Sequence, residues 1–191
     1  MQKIILASSS IYRKELLERL QIPFNVFSPE VDESPLPGES CQDLVLRLAL
    51  AKAIAAAQLF PDAICIGSDE LATVDHTLLG KPGDHPNAVK QLQQMSNQKV
   101  FFYTSVGIAA PNHYTDAQLA VTAVKFRSLT ASMIENYLAK EQPYWSAGSF
   151  KSEALGSALI ERFEGEDPTA IIGLPLILLC EMLSKIGIEV I

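Results

Sequence analysis

Residues 100–127 read VFFYTSVGIAAPNHYTDAQLAVTAVKFR. Two stretches rich in β-branched and aromatic residues, Val100 to Ala109 and Leu119 to Arg127, flank a break near Pro111 and Asn112. In the second stretch Val124 and Phe126 alternate with Lys125 and Arg127, so one face is apolar and the other polar. The pattern predicts a long antiparallel pair. Elsewhere strands and helices alternate, so an antiparallel pair in the middle makes the sheet mixed rather than purely parallel.

Working outward toward the N-terminus, Ala63 to Ser68 has little polarity and reads as a central strand. Leu71–Val74 and Thr77–Leu79 flank Asp75-His76 and predict a hairpin, closed by Gly80-Lys81-Pro82; Asn87 to Met95 reads as a short helix. Ser40 and Asp43 form an approximate capping box before a helix carrying Leu44, Leu48, Ala51 and Ala55 on one face. Lys3 to Ala7 is a buried strand, and Ser8, Ser9 and Ser10 lead into a helix through about Leu20, with Leu16, Leu17 and Leu20 as its apolar stripe. Phe24 to Ser28 is a second strand. Three prolines exclude regular structure from residues 29–39, where four acids give the loop a negative character.

Toward the C-terminus, Thr130 to Ala139 is a helix and residues 142–157 a loop rich in Gly, Ser and Pro. Ala158 to Phe163 reads as a strand, Leu174 to Lys185 as a helix, and Ile188 to Ile191 as a last edge strand. The expected fold is α/β: a mixed, bent sheet with flanking helices in two lobes around a cleft, within a single domain spanning residues 1–191.

The 191 residues are 48% hydrophobic and 19% charged, with a net charge of −7. That balance fits a compact chain with a real core. An acidic balance argues against nonspecific nucleic-acid binding, which rests on a basic surface. It leaves a nucleotide substrate open, because a few cations in one pocket suffice for phosphates. Cys41, Cys65 and Cys180 are odd in number and lack a CxxC spacing, which predicts buried, reduced thiols in a reducing cytosol. The apolar runs Ile4–Ala7 and Leu174–Cys180 are too short for a signal-peptide core or a bilayer span. A cytoplasmic protein without membrane contact is expected.

Four segments carry candidate chemistry. Ser8-Ser9-Ser10 precedes a helix, where free amides and hydroxyls make a phosphate cradle. Arg13 lies in the first turn of that helix, against the dipole, and so calls for a partner such as an anion. Asp69, in Gly67-Ser68-Asp69-Glu70, follows the apolar strand and is suited to hold a divalent cation, to activate water, or to do both. Glu30, Asp32 and Glu33 offer hard oxygen ligands for magnesium or manganese, or form a solvated acidic loop. Lys52 and Lys81 are cations that, each alone, read as surface lysines. The chain has no GxxxxGK[ST] and no GxGxxG after the first strand, and His76, His85 and His113 are isolated. The inventory suits attack by water on a phosphoryl group, and residue spacing alone carries it no further than a metal-dependent phosphohydrolase.

A resemblance carries it further. Leu6-Ala7-Ser8-Ser9-Ser10-Ile11-Tyr12-Arg13, Val31-Asp32-Glu33, Ala51-Lys52-Ala53, Ile66-Gly67-Ser68-Asp69 and Gly80-Lys81-Pro82 occur in the order of the Maf family. Phe126-Arg127-Ser128-Leu129, Ala147-Gly148-Ser149-Phe150 and Gly173-Leu174-Pro175-Leu176 continue that order. The chain resembles this family over its whole length. The resemblance implies a fold like that of inosine-triphosphate pyrophosphatases. It also implies cleavage of a nucleoside triphosphate between its α- and β-phosphates, and a divalent cation, magnesium or manganese. Asp69 corresponds to the catalytic base and, with Glu33, to the metal region. Ser8, Ser10, Arg13, Lys52 and Lys81 correspond to the phosphate region. Homodimers are common in the family.

The stretches Lys140-Glu141-Gln142-Pro143 and 147–153 resemble the subgroup acting on 7-methyl-GTP rather than the subgroup acting on dTTP and UTP. A non-catalytic nucleotide-binding regulator of cell division is a third reading. Three specificity positions fall on Tyr12, Glu70 and Ala154, where the 7-methyl-GTP subgroup usually has tryptophan, glutamine and glycine. A 7-methylguanine ring is cationic, so an aromatic Tyr12 retains cation–π chemistry and Glu70 adds a favourable charge. Ile11 replaces a usual proline at the helix start, and Asn97 stands where glycine is common.

Overall fold

A computed structural model describes residues 2–75 and 77–191. The strands are β1 (Ile4–Ala7), β2 (Asn25–Phe27), β3 (Ile64–Val74), β4 (Thr77–Leu79), β5 (Lys99–Ala110), β6 (Tyr114–Phe126) and β7 (Ile160–Glu164). The helices are α1 (Ile11–Glu18), α2 (Cys41–Leu59), α3 (His85–Met95), α4 (Ala131–Glu141) and α5 (Leu176–Lys185). The strands form one seven-stranded sheet in the order β2-β1-β3-β5-β6-β7, with β4 paired to β3. β1 runs parallel to β2 and β3, whereas β3–β4 and β6–β7 are antiparallel. β5 and β6 are neighbours joined by residues 111–113. A link that short permits only an antiparallel pair, because a parallel pair needs a long crossover. The sheet is therefore mixed, as residues 100–127 predict.

The chain gathers into two compact units. The first comprises residues 1–70, 103–120 and 167–191. On one sheet face of this unit Ile4, Leu6, Ile64, Ile66, Val106 and Ile108 pack with Leu16 and Leu17 of α1 and Leu179, Met182 and Leu183 of α5. Each such leucine, fully buried, contributes roughly 1.5–3 kcal/mol. On the other face Ile5, Ala7 and Cys65 pack with Ala56 of α2. There the helix meets the sheet backbone to backbone. A Cβ added to Gly67 would lie 2.1 Å from Ala49 O, and one added to Gly107 would lie 2.8 Å from Leu50 N. This close seating turns Lys52 inward with Ala49, Ala53 and Ala56. The buried face of α2 is thus Leu44, Val45, Leu48, Ala49, Lys52, Ala53 and Ala56, and Ala51 and Ala55 lie beside it rather than in it.

The second unit comprises residues 71–102 and 121–166. Phe150 meets Phe126 edge-on at 5.1 Å and lies tilted against Phe102 at 5.8 Å between ring centroids. Asn97 adopts φ 56°, as an asparagine at a glycine-like position can. The hairpin forms with Val74 opposite Thr77; the expected turn residue His76 lies outside the described residues.

Three further expectations are corrected. β3 does not stop at Ser68 but continues to Val74 through Asp69 and Glu70. Residues 188–191 form no strand; Ile188 and Val190 instead lay their side chains against the first unit's core. All three thiols are free, but only Cys65 is buried, its pKa pushed up to about 11 by burial. Cys41 and Cys180 are half-exposed.

Candidate active site

The site is built where β1 ends. Ala7, the last residue of β1, pairs with Gly67, and β3 runs on past it. Asp69 is therefore not at the carboxyl end of its own strand but two residues beyond the end of its parallel neighbour. That is still the position where open α/β sheets receive ligands. The chain leaving β1 turns at Ser8–Ser10 into α1. Ser10 caps that helix, its Oγ accepting Arg13 N at 3.4 Å, so the cap forms with Ile11 in place of proline.

Side chains alternate across β3, and this sorts the candidate residues into two groups. Asp69 shares the α2 face with Gly67. Its Oδ1 accepts Lys52 Nζ at 2.6 Å, and Lys52 Nζ also lies 2.7 Å from Glu33 Oε1. Lys52 and Asp69 are each 8% exposed, so Lys52 is no surface lysine. Glu33 reaches in from the proline-rich loop with its side chain 62% exposed. Arg47 fastens this loop. Its Nε and a terminal nitrogen grip both Glu39 oxygens at 2.6 and 2.9 Å, and the same nitrogen donates to Ser34 O at 2.9 Å. The guanidinium holds the Glu39 carboxyl at about 2, well below its ordinary value. Asp32, on the same loop, accepts Ser34 N at 2.9 Å, and this bond lowers its pKa.

Ser68 and Glu70 point to the opposite face, beside α1 and α5. Ser68 Oγ donates to Gly173 O at 2.7 Å, and Arg13 Nε donates to the same oxygen at 2.9 Å. Arg13 also donates to Ser8 Oγ at 3.4 Å. A carbonyl and a hydroxyl are thus among the partners of Arg13. Thr104 Oγ1 donates to Glu70 Oε2 at 3.2 Å. Tyr12 is half-buried on α1.

Lys81 and Ala154 belong to the second unit, and both are exposed. The carbonyls around Lys81 are pinned: Gly80 O accepts Gly148 N and Gln91 Nε2, and Pro82 O accepts Asn87 Nδ2. Ala154 N donates to Lys151 O at 3.3 Å, in a turn that Glu141 also holds by accepting Leu155 N.

Sequence reasoning missed Gly173 as a hub and missed Asp167 and Thr169 entirely. Gly173 lies in a quoted motif, but nothing local says that its carbonyl receives two donors from elements far away in the chain.

Among the described residues no three His, Cys, Asp or Glu side chains cluster as a metal site. Glu33 and Asp69 nevertheless converge on one cationic point, the Lys52 ammonium. Hard carboxylate oxygens in a pair suit magnesium or manganese, which take remaining ligands from water and phosphates.

A family model described as Maf-like protein matches residues 3–186. A 7-methyl-GTP pyrophosphatase of Nitrosospira multiformis is 52% identical over 191 residues, covering 100% of this chain and 96% of that protein. A protein of the same name from Methylobacillus flagellatus is 51% identical over 192 residues, covering 100% of each. Among solved structures, the Staphylococcus aureus Ham1 protein aligns with TM-score 0.49 at 15% identity, over 66% of this chain and 73% of that one. A nucleoside-triphosphatase, dITP/XTP pyrophosphatase, from Mycobacterium abscessus aligns with TM-score 0.46 at 20% identity, over 68% and 76%. On the family match and these full-length relatives, the chain belongs to the Maf-like protein family.

Proposed function

We propose that this chain hydrolyses nucleoside triphosphates to the monophosphate and pyrophosphate, with 7-methyl-GTP as its preferred substrate. The observation that carries the reaction is the buried Lys52 bridge between Asp69 and Glu33, set beside the Ser8–Ser10 turn at the end of β1. The substrate preference is supported by the names of relatives about half identical over their full length.

Asp69 takes a proton from the attacking water, which adds in line to the α-phosphorus as the bond to the bridging oxygen breaks and pyrophosphate leaves. Lys52 fixes the Asp69 carboxylate through Oδ1, so the base is already oriented when substrate arrives. Arg13 and the Ser8–Ser10 amides and hydroxyls bind phosphate oxygens. Glu33 and Asp69 would hold a divalent cation, which when bound neutralises phosphate charge and stabilises the leaving group. The family resemblance extends phosphate neutralisation to Lys81 and specificity to Tyr12, Glu70 and Ala154.

The test is pyrophosphate release from a panel of 7-methyl-GTP, GTP, dTTP and UTP, with magnesium or manganese, for wild type and Asp69→Asn. Wild type should cleave 7-methyl-GTP best, and Asp69→Asn should lose at least about a thousandfold in kcat. Preference for dTTP or UTP would overturn the substrate. Near-native turnover by Asp69→Asn would overturn the base.

A further inference from the structure

α5 begins without a cap of its own, because Pro175 offers no side-chain acceptor. Its first free amides are satisfied from further back in the chain. Leu176 N donates to Thr169 Oγ1 at 2.9 Å, and Ile177 N donates to Asp167 Oδ2 at 2.7 Å. Thr169 in turn donates its hydroxyl to Asp167 Oδ1 at 2.6 Å and its amide to the same oxygen at 2.9 Å. Asp167 is 4% exposed, a buried acid whose two side-chain oxygens accept from Thr169 and Ile177. Such a carboxylate is stable only where these donors stay in place.

The clip closes a short loop. Between Thr169 and Pro175 lie a 3-10 turn at Ala170–Ile172 and Gly173 at φ 125°, a backbone angle that suits glycine. Both ends of this loop are tied, one by Asp167 and Thr169 and the other by the α5 amides they hold. What the loop presents is the Gly173 carbonyl. That oxygen accepts Arg13 Nε at 2.9 Å and Ser68 Oγ at 2.7 Å, and so sets the direction of the guanidinium.

We propose that Asp167 and Thr169 are positioning residues for Arg13: their clip on α5 fixes the Gly173 carbonyl, and that carbonyl aims the guanidinium at the substrate phosphates. The inference rests on the reading of Arg13 as a phosphate ligand. Its mark is non-additivity. A residue acting through Arg13 has nothing left to act on once Arg13 is gone, whereas a general loss of packing adds in full.

The experiment is a double-mutant cycle on pyrophosphate release from 7-methyl-GTP, using Thr169→Val, Thr169→Ser and Arg13→Ala. Thr169→Val keeps the shape and loses the hydroxyl, and kcat/KM should fall about tenfold. Thr169→Ser restores the hydroxyl and should return activity to within about twofold of wild type. On the Arg13→Ala background Thr169→Val should cost less than about twofold. The Arg13 Nε–H resonance, followed by NMR, should move in Thr169→Val and return in Thr169→Ser. If Thr169→Val does not fold, Asp167→Asn, which keeps one acceptor oxygen, is put through the same cycle and judged by the same criterion. Full additivity, or an unmoved Arg13 resonance with unchanged kcat/KM, would overturn the proposal. An Arg13→Ala protein with wild-type kinetics would instead overturn the reading of Arg13 as a phosphate ligand.

Discussion

The two faces of β3 hold their functional side chains by different physics. On the α2 face, charge does the work: one buried ammonium sits between two carboxylates, on a helix seated against glycine. On the opposite face, beside Glu70, a neutral carbonyl, Gly173 O, gathers a serine and an arginine. An ion triad can exchange its cation and so suits a place where charge arrives with the substrate. A carbonyl held in a closed loop cannot reorganise, and suits a group that must already point the right way. The difference teaches that candidate site residues adjacent in sequence, such as Ser68 and Asp69, answer to separate supports.

The largest expected effect breaks the α2 face at its seat. Gly67→Ala puts a methyl 2.1 Å from Ala49 O, a backbone atom that cannot swing aside. The helix must lift, taking Lys52 with it, at a cost above about 3 kcal/mol. Gly80→Ala is the control, since nothing lies within 4 Å of its added Cβ. Thermal melting should show a large fall for the first and almost none for the second; equal, small shifts would mean that the seat is soft.

Next comes the ammonium itself. Lys52→Met keeps the buried stem but leaves Asp69 and Glu33 without the cation they share. Stripping one partner from such a buried group costs about 3 kcal/mol, or roughly 6–12 °C in a chain of this size. If the carboxylate pair accepts a divalent ion, saturating manganese should recover more stability in Lys52→Met than it adds to wild type. Equal manganese effects on the two proteins would show that the pair is tuned to lysine alone.

Local signals were legible in the sequence because they are local. The serine caps of α1 and α2, the hairpin and the long alternating pair each depend on residues within a few positions of one another. What escaped reading depends on distant partners. The sequence ends β3 at Ser68 because Asp69 and Glu70 interrupt its apolar run, yet Asp69 is buried in the strand by a lysine from another element. The same pairing shifts the face of α2: the sequence aligns Leu44 and Leu48 with Ala51 and Ala55, whereas the two leucines are buried with Ala49, Ala53, Ala56 and a neutralised Lys52. Ile188 to Ile191 has a strand's composition, but Ile188 and Val190 pack against the core and no ladder forms. Glu33 could be singled out from its loop only through the family resemblance, and Asp167, capping a helix ten residues on, matches no local template.

The smallest expected effect sharpens the comparison by titration. Glu39 and Arg47 fasten the loop that brings Glu33 to Lys52, and the Arg47 guanidinium holds the Glu39 carboxyl down at about 2 from an ordinary 4.5. A depressed folded-state pKa means that the unfolded chain takes up the proton first as pH falls. The stabilisation is therefore fully present above about 4.5 and is lost progressively between there and about 2. Glu39→Gln never has it. The difference in melting temperature between wild type and Glu39→Gln should thus be constant from pH 7 to about 5 and shrink below about 4.5. Added salt should narrow it at every pH, since the pair is partly solvated. A difference that stayed flat down to pH 3 would show that the loop is held by the Arg47 bond to Ser34 O and not by charge.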